Sequence, residues 1–130
     1  MTLEVHVVTP EREVWSGEAS MVIARGVEGE IGILEGHAPL LIRLAIGALR
    51  IQHGEQERFA VVDGGFLHCV SSEGGTRVDV LATTASLESE IDVERERRRV
   101  EELQQHIAVT DDAEAHKELA KALARVRLRG

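Results

Sequence analysis

Near residue 85 this chain of 130 residues changes its period, and no single regular architecture accommodates both parts. Before that point, runs rich in Val and Ile alternate with glycine-bearing turns about every ten residues, the spacing of a sandwich or barrel. After Thr84 there is no proline and only a terminal glycine. Residues 86–130 consist largely of Glu, Arg, Ala, Leu and Gln, which lose least on entering a helix. The expected fold is a mainly β N-terminal sandwich over 1–85 followed by a C-terminal antiparallel two-helix hairpin over 86–130.

In the first region LEVHVVT puts Leu3, Val5 and Val7 on one face and Glu4 and His6 on the other, as a half-buried strand requires. Further strands are expected at Glu13–Trp15, Ala19–Ala24, Glu30–Leu34, Gly47–His53, Arg58–Val62, Phe66–Val70 and Thr76–Ala82. Turns are expected at Val27-Glu28-Gly29, His53-Gly54-Glu55, Asp63-Gly64-Gly65 and Glu73-Gly74-Gly75. The stretch FAVVDGGFLHC reads as a β-hairpin about its Gly-Gly turn. GEIGILEGHAPLL combines a strand with a loop holding His37 and Pro39; His37 is either a functional group or a residue that caps the turn by hydrogen bonding.

In the second region Val93, Val100, Leu103 and Ile107 form one narrow apolar seam on a charged rod, and Ala115, Leu119, Leu123 and Val126 form another. Ser89-Glu90-Ile91-Asp92 and Asp111-Asp112-Ala113-Glu114 read as capping boxes at the two helix starts. Each large apolar residue in such a seam contributes only about 1.5–3 kcal/mol. The hairpin is therefore expected to detach from its docking surface at modest cost.

The chemistry of catalysis is not advertised. There is no phosphate loop or dinucleotide fingerprint, and Cys69, Ser71 and Ser72 lack a nucleophile signature. Six scattered histidines show no zinc spacing, so no catalytic residue and no metal ligand is assigned. A formal net charge of −8 and 2% aromatics argue against nucleic acid as a partner. No run approaches the length of a membrane helix, and the start lacks the pattern of a signal peptide. A single cysteine cannot form an internal bridge, which fits a reducing compartment.

Taken in order, Val14-Trp15-Ser16-Gly17, Gly29-Glu30-Ile31-Gly32-Ile33-Leu34 with His37 and Pro39, Ala60-Val61-Val62-Asp63-Gly64-Gly65-Phe66, Val78-Asp79-Val80-Leu81-Ala82 and Glu88-Ser89-Glu90-Ile91-Asp92 carry a resemblance that spans the chain. It resembles the epsilon subunits of bacterial F-type ATP synthases, called delta in mitochondria. The resemblance implies a sandwich of about ten strands on the central stalk, touching the gamma subunit and the c-ring. It also implies a non-catalytic rotor subunit of a proton-transporting complex, associated peripherally with the cytoplasmic face of the bacterial cell membrane. Its hairpin would regulate ATP hydrolysis, permitting turnover when folded back and inhibiting it when extended toward the alpha and beta subunits.

Contact candidates for gamma or the c-ring are Glu30, Ile31, Leu34, His37 and Pro39, with Glu35 standing where the family often has proline. The basic end, Lys121, Arg125, Arg127 and Arg129, is a candidate for pairing with a partner's carboxylates or for complementing its own helix dipole. Some members bind ATP through an Ile/Leu-Asp-x-x-Arg-Ala pattern. Here Ile91, Asp92 and Arg95 match and Glu96 replaces the alanine, while Asp92 is also placed to act as a helix cap, so ATP enters as a candidate regulatory ligand while no cofactor is required. The alternative function is a β-sandwich ligand-binding module with a dimerising helical tail.

Overall fold

The computed structural model describes residues 2–129. Ten strands form two five-stranded sheets. The first places β1 (Leu3–Val8), β2 (Glu13–Ala19), β5 (Leu40–Arg43), β8 (Phe66–Ser72) and β9 (Gly75–Leu81) in the order β2-β1-β9-β8-β5. The second orders β3 (Met21–Gly26), β4 (Gly29–Leu34), β6 (Gly47–His53), β7 (Gln56–Asp63) and β10 (Thr84–Leu87) as β10-β7-β6-β3-β4. Neighbours run antiparallel except β1 and β9, which are parallel.

The alternation seen in the sequence becomes the core. Leu3, Val5, Val7, Leu67, Val78 and Val80 from one sheet meet Val22, Ile33, Leu49, Ile51 and Ala60 from the other. Cys69 is a small hydrophobe in the same layer, and burial pushes its thiol pKa up. Thr76, buried among them, is satisfied because its hydroxyl accepts from the Gly36 amide at 2.7 Å and bonds Ser71.

Two expectations about this part are corrected, and two strands are added. Ala19 closes β2 instead of opening the next strand, where its side chain is fully buried against β1's Leu3 register. The short strands β5 and β10 carry too few residues to show a period. FAVVDGGFLHC is not a β-hairpin: β7 and β8 lie in different sheets, and Gly64-Gly65 carries the chain across the sandwich. Both glycines have positive φ (62° and 92°), as a tight β-turn would, but a Cβ on Gly65 would strike the Leu81 carbonyl, so glycine is needed for the close crossing.

A single 3-10 turn (Glu88–Glu90) links the sandwich to α1 (Val93–Val109) and α2 (Ala113–Arg129). The capping-box reading shifts at both starts. Asp92, not Ser89, caps α1, accepting from the Arg95 amide at 3.3 Å, and Asp112 accepts from the Glu114 amide at 3.0 Å. The helices run antiparallel, as Glu96–Arg125, Arg99–Glu118 and His106–Asp112 contacts show. Their shared core is Leu103, Ala115 and Ala122 with Val100, Ile107 and Leu119 beside it. No helix among the described residues is long and apolar enough to cross a membrane.

Candidate functional site

The two outer faces of the sandwich differ. On the β10-β7-β6-β3-β4 sheet, α2 lies across β6 and β7. Val61, which alternation points away from the inter-sheet core, is only 3% exposed as a result. The helix does not close on the sheet along its whole length. A cleft of about 580 Å³ remains between Ala120, Leu123 and Ala124 of the helix and Ile23, Ala48 and Phe59 of the sheet.

Among the described residues no helix lies on the outer face of the other sheet, which carries large apolar side chains in the open alongside His68, Arg77 and Asp79. Leu41, Phe66, Val70 and Leu81 are all exposed. Phe66 stands directly across from Leu81, so the two merge into one apolar surface, which continues into a depression with Val8 and Pro10. Exposed apolar groups that cluster in this way mark interaction surfaces, whereas single ones do not. This face was missed in the sequence. Phe66, Val70 and Leu81 alternate with buried partners, a signal that each strand has an apolar residue on both sides.

The sequence-derived contact candidates divide between the two ends of β4, with Glu30 and Ile31 near the turn from β3 and Leu34, His37 and Pro39 at the other end, where β8 meets β9. Glu30 and Ile31 line a depression of about 450 Å³ between β4 and β5, together with Val27 and Leu41. Leu34 is 57% exposed, and Pro39 lies open in the following loop. His37 works largely through its main chain: its carbonyl accepts from the Ser71 hydroxyl at 2.6 Å, and its Nδ1–H donates to the Ala38 carbonyl at 2.8 Å. With the Gly36 amide held by Thr76, the loop is fixed before any partner arrives.

At the hairpin the three residues of the ATP pattern are not brought to a common point. Ile91 is buried, the Asp92 carboxylate caps α1, and Arg95 is exposed in a shallow cleft with Arg98, Arg99 and Glu102. Glu96, which replaces the pattern's alanine, faces Arg125 at 3.4 Å, with both side chains largely buried. The basic end is likewise divided. Lys121 turns inward onto Asp63 at 2.9 Å and Glu118 at 3.0 Å, Arg125 onto Glu96, and Arg127 lines the helix–sheet cleft. The side chain of Arg129 lies outside the described residues.

The connector between the two parts is held separately. Glu88 accepts from Arg58 and from the Phe59 amide, both at 2.6 Å, and Glu90 pairs with Arg12 at 2.8 Å. Burial works against the charge on Glu88, but the hydrogen bonds from Phe59 and Arg58 outweigh it and hold the carboxyl below its ordinary range. For Glu90 the Leu87 amide and then Arg12 lower it in the same direction.

A family model described as "ATP synthase, Delta/Epsilon chain, beta-sandwich domain" matches residues 2–88. The chain belongs to this family. As a member of it, the chain is a non-catalytic subunit of the ATP synthase complex. It is similar to the ATP synthase epsilon chain of Thermobifida fusca, 44% identical over 128 residues that cover 96% of this chain and 90% of the relative. It is also 49% identical over 94 residues to that of Brevibacillus brevis, covering 72% and 68% of the two chains. Among solved structures it shares its fold with a chain of the Euglena gracilis mitochondrial ATP synthase, at a TM-score of 0.77 and 23% identity over 98% of this chain and 80% of that one. The delta/epsilon sandwich of the family model ends at residue 88, so Glu88, the acid that grips Arg58 and Phe59, is its last matched residue.

Proposed function

We propose that this chain is a central-stalk rotor subunit that grips the gamma shaft with the open face of its sandwich, rests on the c-ring with the end loop, and regulates ATP hydrolysis with its hairpin. The observation that carries the reading is the asymmetry of the two outer faces: one is covered by the chain's own α2, while the other presents Leu41, Phe66, Val70 and Leu81 to a partner. The similar Euglena chain was solved in an assembly described as OSCP/F1/c-ring, which supplies partners of the required kind. Leu34 and Pro39, in and beside the loop held by Ser71 and Thr76, are assigned to the ring, and Glu30 and Ile31, which line a depression with Leu41 at the other end of β4, are assigned to gamma.

The hairpin supports the regulatory part through its ion pairs. Lys121 and Arg125 are matched by carboxylates of their own chain in the folded-back arrangement, and extension would free Lys121 to pair with acids of the alpha and beta subunits. No nucleotide is needed to hold this arrangement, because Asp92 is engaged as a cap and Glu96 by Arg125. The alternative of a dimerising tail loses its basis, since the seam it would offer a second copy is filled within one chain.

The test is binding of the gamma subunit by the chain and by Phe66→Glu and Leu81→Glu variants. Either substitution is expected to weaken binding by more than about tenfold, as loss of an apolar anchor does, with the sheet still folded by circular dichroism. Unchanged gamma binding in both would remove the shaft from this face. For nucleotide, calorimetry at millimolar ATP is expected to give no saturable heat; saturable binding abolished by Asp92→Ala would reverse that part.

A further inference from the structure

We propose that Lys121, clasped between Asp63 of β7 and Glu118 of its own helix, is the latch that keeps the hairpin folded back, so that breaking its contact with Asp63 releases α2 while both sheets stay intact. The geometry is that of a site, not of a solvated surface pair. The Lys121 side chain is 13% exposed, and its ammonium meets Asp63 at 2.9 Å and Glu118 at 3.0 Å. Charge-assisted hydrogen bonds in such partly dry surroundings are stronger than exposed ones. Burial disfavours the ammonium, yet the bonds to Asp63 and Glu118 outweigh this and leave its pKa raised.

The rest of the α2 docking surface explains why one contact carries so much. Ala115 and Ala122, the best-buried residues of the helix, belong to the core shared with α1, not to the sheet. Toward the sheet, α2 seals Val61, but its Ala120, Leu123 and Ala124 face the open cleft of about 580 Å³, and groups lining a gap forfeit the dispersion contacts that close packing gives. The connector touches α2, but its ion pairs, Arg12–Glu90 and Arg58–Glu88, join it to the sandwich and not to the helix. They fix a hinge at Ile91-Asp92, and Lys121 decides which side of it the helices occupy.

Asp63 is well chosen for this. Its backbone pairs with Thr84 in the sheet, so it is a rigid anchor, and its side chain stands at the β7 end that leads through Gly64-Gly65 to Phe66. Removing Lys121 leaves the Asp63 and Glu118 carboxylates facing each other with only Arg99 of α1, 3.8 Å from Glu118, to offset them, and Asp63 with no helix cation to hold α2 to the sheet. Removing Asp63 leaves Lys121 paired to Glu118 alone. The larger release is therefore expected from Lys121→Gln.

The regulatory meaning of the latch rests on the hairpin function proposed above; the latch itself does not. The experiment is amide hydrogen exchange by mass spectrometry on the full chain, for Asp63→Asn, Lys121→Gln and the double variant. Exchange in α2 is expected to rise between about tenfold and a hundredfold, the range of a hydrogen bond to a charged group, with β1, β6 and β9 unchanged. The double variant should be no looser than Lys121→Gln alone. Wild-type exchange in α2 for both single variants, or equal loosening of the sheets, overturns the latch. The same variants assayed in reconstituted ATP synthase separate the two claims. Released helices with altered ATP hydrolysis support both, whereas released helices with unaltered hydrolysis keep the latch and sink the regulatory role.

Discussion

The sandwich and the hairpin are held by different physics. In the sandwich, Leu3, Val5, Leu49, Leu67, Val78 and Val80 are sealed from water between two sheets, and removing any one leaves a hole that neighbours on all sides cannot fill. In the hairpin the most deeply buried residues are Leu103, Ala115 and Ala122, two of them alanines, flanked by half-buried Val100, Ile107 and Leu119, and ion pairs add to this thin seam. Apolar burial is indifferent to which partner supplies it, but ion pairs can be exchanged for others of the same sign pattern. A rigid body and an arm that can change partners are thus written into one chain by the choice of forces.

The largest effect expected is on the body. Leu49→Ala should lower global stability by about 2–5 kcal/mol, measured by urea unfolding of the full chain. A loss under about 1 kcal/mol would mean the inter-sheet core is not what holds the sandwich. The arm provides the contrast. Leu103→Ala should destabilise the helices by about 2 kcal/mol, the low end for such a change, because two helices can close toward each other where two sheets cannot. Its signature is a fall in helical circular dichroism at a denaturant concentration where the sheet signal still holds. One coincident transition for both signals, shifted as a unit, would erase the distinction.

This contrast also decides how far the sequence could be read. Both periods survive folding, since Leu3, Val5 and Val7 are buried together and Val100, Leu103 and Ile107 share one face of α1, although Val93, placed in the same seam by spacing, is not part of that core. The α2 seam was legible only in part. Ala115 and Leu119 face α1 as expected, but Ala122 is the fully buried residue and Leu123 turns to the sheet, because a helix packed on two surfaces has no single stripe. The Asp63–Lys121 contact spans 58 positions and follows no spacing rule. Nor could local signals distinguish a β-turn at Gly64-Gly65 from a crossover, since both ask for positive φ. The open apolar face escaped for a related reason: alternation shows which residues face together, not which of the two outer faces a helix will later cover.

A smaller effect is expected where the arm begins. Asp92→Ala removes the cap that accepts the Arg95 amide and should cost about 1 kcal/mol, seen as faster exchange in the first turn of α1 only. If protection is lost along all of α1, the turn is a nucleus for the whole helix and not a local fastening.

The smallest effect concerns the joint itself, and pH exposes it. The Glu88 carboxyl is held below its ordinary 4.5 in the folded chain, where burial is outweighed by the Phe59 amide and Arg58. Its contribution is therefore fully present above the unfolded value and is lost as pH falls through the lower, folded one. Glu88→Gln keeps an acceptor for Phe59 but removes the charge facing Arg58, so at neutral pH it should be less stable than the native chain by less than about 1 kcal/mol. Below 4.5 the difference between the two should shrink steadily, as the native carboxyl takes up the proton that the amide imitates. Urea unfolding of both chains from neutral to strongly acid pH gives the test. A difference that stays constant across that range would show that shape, not charge, fastens the connector, and the joint would then belong with the apolar body instead of the ionic arm.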